Sequence, residues 1–375
     1  MNKKFYEKKF DDATQVKLDV FRRYLQEWLP VFPNKGVEVS IYDFFAGPGK
    51  DAAGNLGSSL IIVEELKQFC EHHSVTYSNV SARVVFNDIE EKHIKKLKKH
   101  VCEIACGKAC CKFEYSAKPF RESLEQHLMQ MRAHDTANLV FMDQFGIKEV
   151  TPEVVGEMAK CSRTDILFFI SSSIINRFIE TQEIGGKFDI SSEALKDKEY
   201  TVIHRYLCEH FREKLGGLSY YLAPFSIKKG GNIYGIIFGS GHILGLEKFL
   251  TVCWSLDKAT GEANYNIDGD LSWGGQKSLF EELNTIRKVD LFEKDLLNFI
   301  HDYKPDNIAL NEFCLQKGFS PSRSNEVLRG MQSKGSIKVW DITKDKPARK
   351  NSFYLGWNNV KTASPRVIYT TERAT

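Results

Sequence analysis

The chain has 375 residues, of which 42% are hydrophobic and 27% charged, with a formal net charge of +3. This balance excludes wholesale disorder and a membrane protein, and leaves room for one large α/β domain with a smaller appendage. The longest apolar stretch, Ile166 to Ile175, contains three serines and falls far short of the ~20 residues a membrane span needs. The charged start, Met1 to Lys9, is followed by no apolar segment or small-residue cleavage site, so no secretory leader is expected and a cytoplasmic location follows. Nine cysteines is an odd count, and Cys70, Cys161 and Cys253 fall in apolar segments where a reduced thiol packs as a small hydrophobe. Residues 292–375 carry 14 Lys and Arg against 9 Asp and Glu, leaving 38 against 40 elsewhere. Any preference for a polyanion therefore belongs to the C-terminal part.

Taken in chain order, residues 14–29 place Leu18, Phe21, Leu25, Trp28 and Leu29 at helical spacing. Lys17, Arg22, Arg23 and Glu27 are expected on the other faces, and Pro30 and Pro33 end the helix. Apolar runs and helical patterns then alternate: a run at 37–45, a helix at 58–70, a run at 82–88, a helix at 90–104, a run at 111–116, a helix at 120–131, a run at 138–143, a helix at 152–159 and a run at 165–171. Such alternation predicts a doubly wound parallel sheet of Rossmann-like type. Two further runs, 218–227 and 232–240, flank Gly230 and Gly231, whose freedom at positive φ suits a tight antiparallel hairpin. Five βα strands followed by a hairpin is the order of a methyltransferase-type sheet, not of a dinucleotide dehydrogenase.

Residues 176–216 read as a polar, mostly helical insertion that could close over the strand ends as a lid. From 292 three helical patterns (292–301, 308–317 and 323–333) precede a hairpin in which 337–340 returns at 352–355, the outline of a winged helix. The expected organisation is an N-terminal helix to 36, an α/β domain at 37–290, a winged-helix domain at 291–361 and a flexible tail at 362–375.

Three aspartates end three runs. The first opens a small-residue loop, Asp43, Phe44, Phe45, Ala46, Gly47, Pro48 and Gly49, which lets backbone approach a ligand lying across the sheet edge. S-adenosylmethionine, which carries no phosphate and so needs no strict dinucleotide glycine spacing, is the expected cofactor, with Asp43 accepting from its ammonium group; any tight βα turn has similar composition. Asp88 is placed to accept from both ribose hydroxyls or to cap the following helix, and the two roles are compatible. Ser116 follows the third run, where adenine would lie. Asp143, Gln144 and Phe145 end the fourth run, facing the methyl group: Asp143 for an amine or hydroxyl nucleophile, Phe145 for a planar acceptor, or, alternatively, a turn cap and a core ring. The Asp-x-Phe-Ala-Gly start is shared with DNA cytosine-5 methyltransferases, but no Pro-Cys nucleophile stands at this position, which argues against covalent attack on a pyrimidine. Cys102, Cys106, Cys110 and Cys111 lack the spacing of a zinc knuckle, so no metal site is expected. In the C-terminal part Arg323, Asn325 and Arg329 would face a nucleic acid groove, with Lys346 and Arg349 on phosphates; a module that binds only protein has the same outline.

Together these residues give the chain a resemblance to the three-Cys-motif partner (TcmP) family of class I methyltransferases. It is carried by Lys17, Arg22 to Leu25, Asp43 to Gly49, Gly57 to Leu60, Asp143 to Gly146, Ile175 to Arg177, Trp254 and Asp257. The resemblance implies S-adenosylmethionine as cofactor, a three-Cys-motif, radical-SAM-like protein as partner and a bacterial defence setting. The chain departs from the family pattern at Ala13, at Ser59 and at Gln144, where a proline is usual after the aspartate. A non-catalytic binding scaffold on the same fold is the rival expectation.

Overall fold

The computed structural model describes residues 5–32, 37–73, 82–105, 111–144, 148–171, 203–265 and 288–371, together with Ile175, Phe188 and Ile267. It divides into two compact units, Met1–Lys248 and Phe249–Thr375. The division precedes the boundary expected near residue 291.

The first unit is built on a seven-stranded sheet in the order β3-β2-β1-β4-β5-β7-β6. Its strands are β1 (Glu38–Asp43), β2 (Ala82–Asn87), β3 (Cys111–Ser116), β4 (Thr136–Met142), β5 (Thr164–Ile170), β6 (Tyr221–Lys229) and β7 (Asn232–Ser240). β1 to β5 are parallel, and β7 runs antiparallel to both β5 and β6. Every residue of β2 and β4 is buried, as expected of parallel strands covered on both faces, which is why they read in sequence as unbroken apolar runs. Lys229 pairs with Asn232 across Gly230 and Gly231, and Gly230 sits at φ +56°, the left-handed geometry the hairpin demands.

The helices of this unit are α1 (Asp12–Trp28), α2 (Ser58–His73), α3 (Glu91–Ala105), α4 (Phe120–Met131), α5 (Pro152–Ala159) and α6 (Ile203–Leu215). Asp11 caps α1 by accepting from the Thr14 N–H at 2.9 Å, satisfying one of the helix's orphan donors. The helix buries the expected Leu18, Phe21, Leu25 and Trp28, with Phe21 packed on Phe141 of β4 at 4.2 Å between ring centres. Lys17 does not lie on a solvated face as its charge suggests; it is 6% exposed, for a reason the site makes plain. A seventh helix, α7 (Ile243–Leu256), contains the division between the units. The proposed lid at 176–216 lies largely outside the described residues, apart from the buried Phe188 and α6.

The second unit contains α8 (Lys288–Tyr303), α9 (Asn307–Gln316), α10 (Pro321–Ser333) and α11 (Trp357–Val360), with the three-stranded sheet β10-β8-β9. Its strands are β8 (Ile337–Asp341), β9 (Lys346–Pro347) and β10 (Val367–Thr371). Two expectations are corrected here. The strand that pairs with β8 along its length is not 352–355 but β10, and β10 lies inside the stretch expected to be a flexible tail. Residues 367–371 form a strand because Val367 and Tyr369 are fully buried and the Asn307 side chain accepts from the Arg366 N–H at 2.7 Å. Among the described residues no helix is long and apolar enough to cross a membrane.

Candidate functional site

β1 and β4 are neighbours whose following connections diverge, β1 leading to β2 and β3 on one side and β4 to β5 on the other. The crevice at such a switch point, outside the carboxyl ends of the strands, is where open α/β sheets bind ligands. Register puts the ends level: Asp43 lies opposite Phe86 of β2 and Phe141 of β4, so Asp43, Asp88 and Asp143 all emerge at one edge.

The loop after β1 is held from every side. Gly47 at φ +60° and Gly49 at φ +93° take left-handed conformations that a side chain would strain. The Ala46 N–H donates to Asn87 O at 2.9 Å, and the Gly57 N–H donates to Gly49 O at 2.7 Å. Ser59 Oγ donates to Ala46 O at 2.9 Å. Pro48 O lies 2.9 Å from His100 Nδ1; a carbonyl only accepts, so that nitrogen carries the proton. Phe45 stacks on Phe120 at 5.2 Å.

Asp43 is fully buried. Ser58 Oγ donates to its Oδ2 at 2.7 Å and the Phe45 N–H to its Oδ1 at 3.2 Å. Burial pushes its carboxyl up to about 7 against those two bonds, and the nearby Asp143 and Asp88 charges push the same way. Asp88 lies two positions before the cap position of α3, which Glu90 takes, and makes a side-chain turn instead: its Oδ1 accepts from the Glu90 N–H at 2.8 Å and faces His93 Nδ1 at 3.1 Å. Its Oδ2 also accepts from the Gly47 N–H at 3.0 Å, so one carboxylate joins the loop to the next strand end. Ser116 donates through Oγ to Asn87 Oδ1 at 2.7 Å, while Asn87 Nδ2 donates to Phe44 O at 3.3 Å and Lys118 O at 3.0 Å. Asn87, absent from the sequence-based set, thus knits three strand ends.

On the β4 side, Lys17 Nζ reaches from α1 to donate to Asp143 Oδ2 and sits over the Phe169 ring at 4.6 Å. The pairing explains the buried lysine, since an unpaired ammonium there would be costly. Gln144 is buried and spends its amide on backbone: Nε2 donates to Phe169 O at 3.3 Å, and Oε1 accepts from the Glu149 N–H at 2.9 Å and the Val150 N–H at 3.2 Å. It closes the turn after β4. Phe145 lies outside the described residues.

Tyr6, in a single 3-10 turn at Phe5–Glu7, also belongs to this site. A Cβ on Gly47 would overlap the Tyr6 hydroxyl and come within 2.5 Å of its Cζ. Burial, with the Asp143, Asp88 and Asp43 carboxylates, holds that hydroxyl well above the ordinary phenol range.

In the second unit the residues expected to face a nucleic acid differ in availability. Arg323 stacks over Trp254 at 5.0 Å, donates through Nη2 to Lys258 O at 2.8 Å and through Nη1 to Glu326 at 2.6 Å, so it is engaged within the unit. Asn325 is half-buried. Arg329, Lys346 and Arg349 are exposed, as is Trp340 on β8. Cys106 and Cys110 lie outside the described residues; Cys161 and Cys253 are buried, and Cys70 half-buried.

No family model matches the chain, and no curated protein matches it in sequence. Among solved structures it is similar to Trm1 from Pyrococcus horikoshii with S-adenosyl-L-methionine, at 9% identity over 92% of this chain and 93% of that one, TM-score 0.39. It is similar also to magnesium protoporphyrin IX methyltransferase from Synechocystis with bound SAH (14% identity, 62% and 89% covered, TM-score 0.34). A third is the O-methyltransferase TomG from Streptomyces achromogenes with SAM (13%, 64% and 98%, TM-score 0.33). At these scores and identities they say nothing of this chain's activity, and the functional reading stands on its own geometry.

Proposed function

We propose that the first unit is an S-adenosylmethionine-dependent methyltransferase domain. One observation carries the reading: a parallel sheet with β7 set antiparallel between β5 and β6 brings the Asp43–Gly49 loop, Asp88 and Asp143 to one edge, at its switch point. The residues fit the cofactor. The loop has two glycines without a Cβ to obstruct a ligand, and the carboxylates at the ends of β1 and β2 suit an ammonium group and ribose hydroxyls respectively. When bound, the cofactor would supply an activated methyl group. Asp43 would keep the loop in shape and favour positive charge beside it; Asp88 would accept from the ribose with the lone pairs its present bonds leave. Lys17 and Asp143 would orient the acceptor, and Phe169 would help exclude water.

The acceptor on this reading is an amine or hydroxyl, carried by nucleic acid or presented by a partner. We read the second unit as a winged helix that recruits it through Arg329, Lys346 and Arg349, and on the TcmP resemblance the partner is a three-Cys-motif protein. The engagement of Gln144 in backbone bonds and of Asp143 with Lys17 favours a second reading, a scaffold that keeps the fold and binds without reaction. Calorimetric titration of S-adenosylmethionine against wild type and Asp43→Ala tests the cofactor site: heat with wild type and its loss in the variant are expected. No heat with wild type sinks the methyltransferase reading. Mass spectrometry of DNA, RNA and protein incubated with labelled cofactor separates enzyme from scaffold.

A further inference from the structure

We infer that residues 5–10 form a strap that occupies the cofactor cradle of this same chain, with Tyr6 seated on Gly47 in the adenosyl ligand's place, and that ligand entry displaces it. The inference rests on the cofactor reading above. Tyr6 covers the Cβ-less face of Gly47, the face a glycine leaves open for close approach. Its ring meets His93, the residue beside Asp88, edge-on at 5.3 Å. Seated there, the phenol and a ligand spanning Asp43 and Asp88 compete for one volume.

The strap is built to move about one point. Phe10 is buried, and its N–H donates to Asp51 Oδ2 at 2.6 Å. Asp51 in turn organises the loop after Gly49, accepting from the N–H groups of Ala53 and Asn55 at 2.9 and 2.8 Å. Phe10 therefore stays fixed. Between it and Tyr6, residues Glu7, Lys8 and Lys9 are exposed, and the backbone tie there is a long one, from the Ala52 N–H to Lys8 O at 3.5 Å, so swinging them out costs few contacts. Electrostatics favours the exchange: a ligand with a sulfonium and an ammonium group brings full positive charge to the carboxylates at Asp43, Asp88 and Asp143, which a neutral phenol does not.

A seated strap lowers apparent affinity by the fraction of time the cradle is open. Titration of S-adenosylmethionine into the full-length chain should therefore give binding on the order of 3- to 10-fold tighter for Tyr6→Ala than for wild type. In the wild-type protein, trypsin cleavage after Lys8 and Lys9 should quicken several-fold when the cofactor is added, a readout needing no variant. Wild-type binding with equal or weaker binding by Tyr6→Ala, or slower cleavage with cofactor, overturns the strap and leaves the cofactor reading standing. No heat with either protein overturns both.

Discussion

The backbone N–H of Gly47 donates to Asp88 Oδ2 at 3.0 Å, so the glycine loop after one strand is tied to the carboxylate that ends the next. Two residues 41 positions apart thereby form one wall, and the shape of the loop depends on a side chain outside it. Asp88→Ala should remove this bond together with the one from Glu90 and the His93 contact. The loss should destabilise the first unit by about 1–3 kcal/mol in urea unfolding and weaken S-adenosylmethionine at least about tenfold. Asp88→Asn, which still accepts from the Gly47 N–H, should recover stability but not affinity. Unchanged affinity in both variants would remove Asp88 from the site.

Asp43 gives a pH signature. Its carboxyl titrates at about 7 in the folded chain and near 4 when unfolded, so between those values the folded state holds the extra proton. Stability from this group therefore falls as pH rises from about 4 to 7 and is level outside that window. Asp165, pushed up to about 6 by burial, acts in the same direction. Asp43→Asn cannot ionise, and its melting temperature relative to wild type should rise from pH 4 to pH 7.5. A flat difference would contradict the upward shift of the buried carboxyl.

Lys17→Ala leaves Asp143 without its cation. For a sealed pair the cost would be ~3–5 kcal/mol; with the Asp143 side chain 24% exposed, about 2 kcal/mol is expected. On the methyltransferase reading, the rate falls while calorimetry finds cofactor affinity kept, because the pair faces the acceptor. The doubly apolar Lys17→Met with Asp143→Leu should regain stability without activity.

Gln144→Ala should cost about 1–3 kcal/mol through the freed Glu149 and Val150 N–H groups. Gln144→Glu preserves their acceptor but cannot donate to Phe169 O at neutral pH, so it should fall between. A large loss of rate in Gln144→Glu with stability intact would instead give the amide a chemical role.

For the second unit the prediction separates packing from phosphate contact. Substituting Arg349 or Lys346 by alanine should reduce the slope of log affinity against log salt for mixed-sequence DNA or RNA by up to about 1 each. Arg323→Ala should lower the melting temperature through the lost stacking on Trp254, with little change in slope. Binding that does not weaken with salt would refute phosphate recognition.

Much of the sheet was legible because β2, β4 and β5 are almost wholly buried and so spell themselves as apolar runs, and because Gly230 and Gly231 mark a turn. The loop at Asp43 was legible for the same local reason. Lys17 was not: an ion pair across 126 residues leaves no periodic trace, and a lysine in an amphipathic helix is ordinarily solvated. Tyr6 sits in a turn of three residues, too short to carry a pattern. Gln144 was visible as a departure from a motif, but its role depends on donors five and six positions later. β10 was missed because Ser364-Pro365 and the threonines near the end look like a tail, while its burial depends on β8 some thirty residues earlier.

That last strand also bears on folding. Tyr369 donates its N–H to Pro305 O at 3.0 Å, and Ile368 bridges to Asp306, so β10 closes against the start of α9, more than sixty positions earlier. The second unit is thus sealed by a seam whose two sides lie far apart along the chain, and bringing them together closes a long loop late in the gain of local structure. Deleting residues 367–371 would take away a structural strand, and a change that looks like trimming a loop would act on that unit's folding.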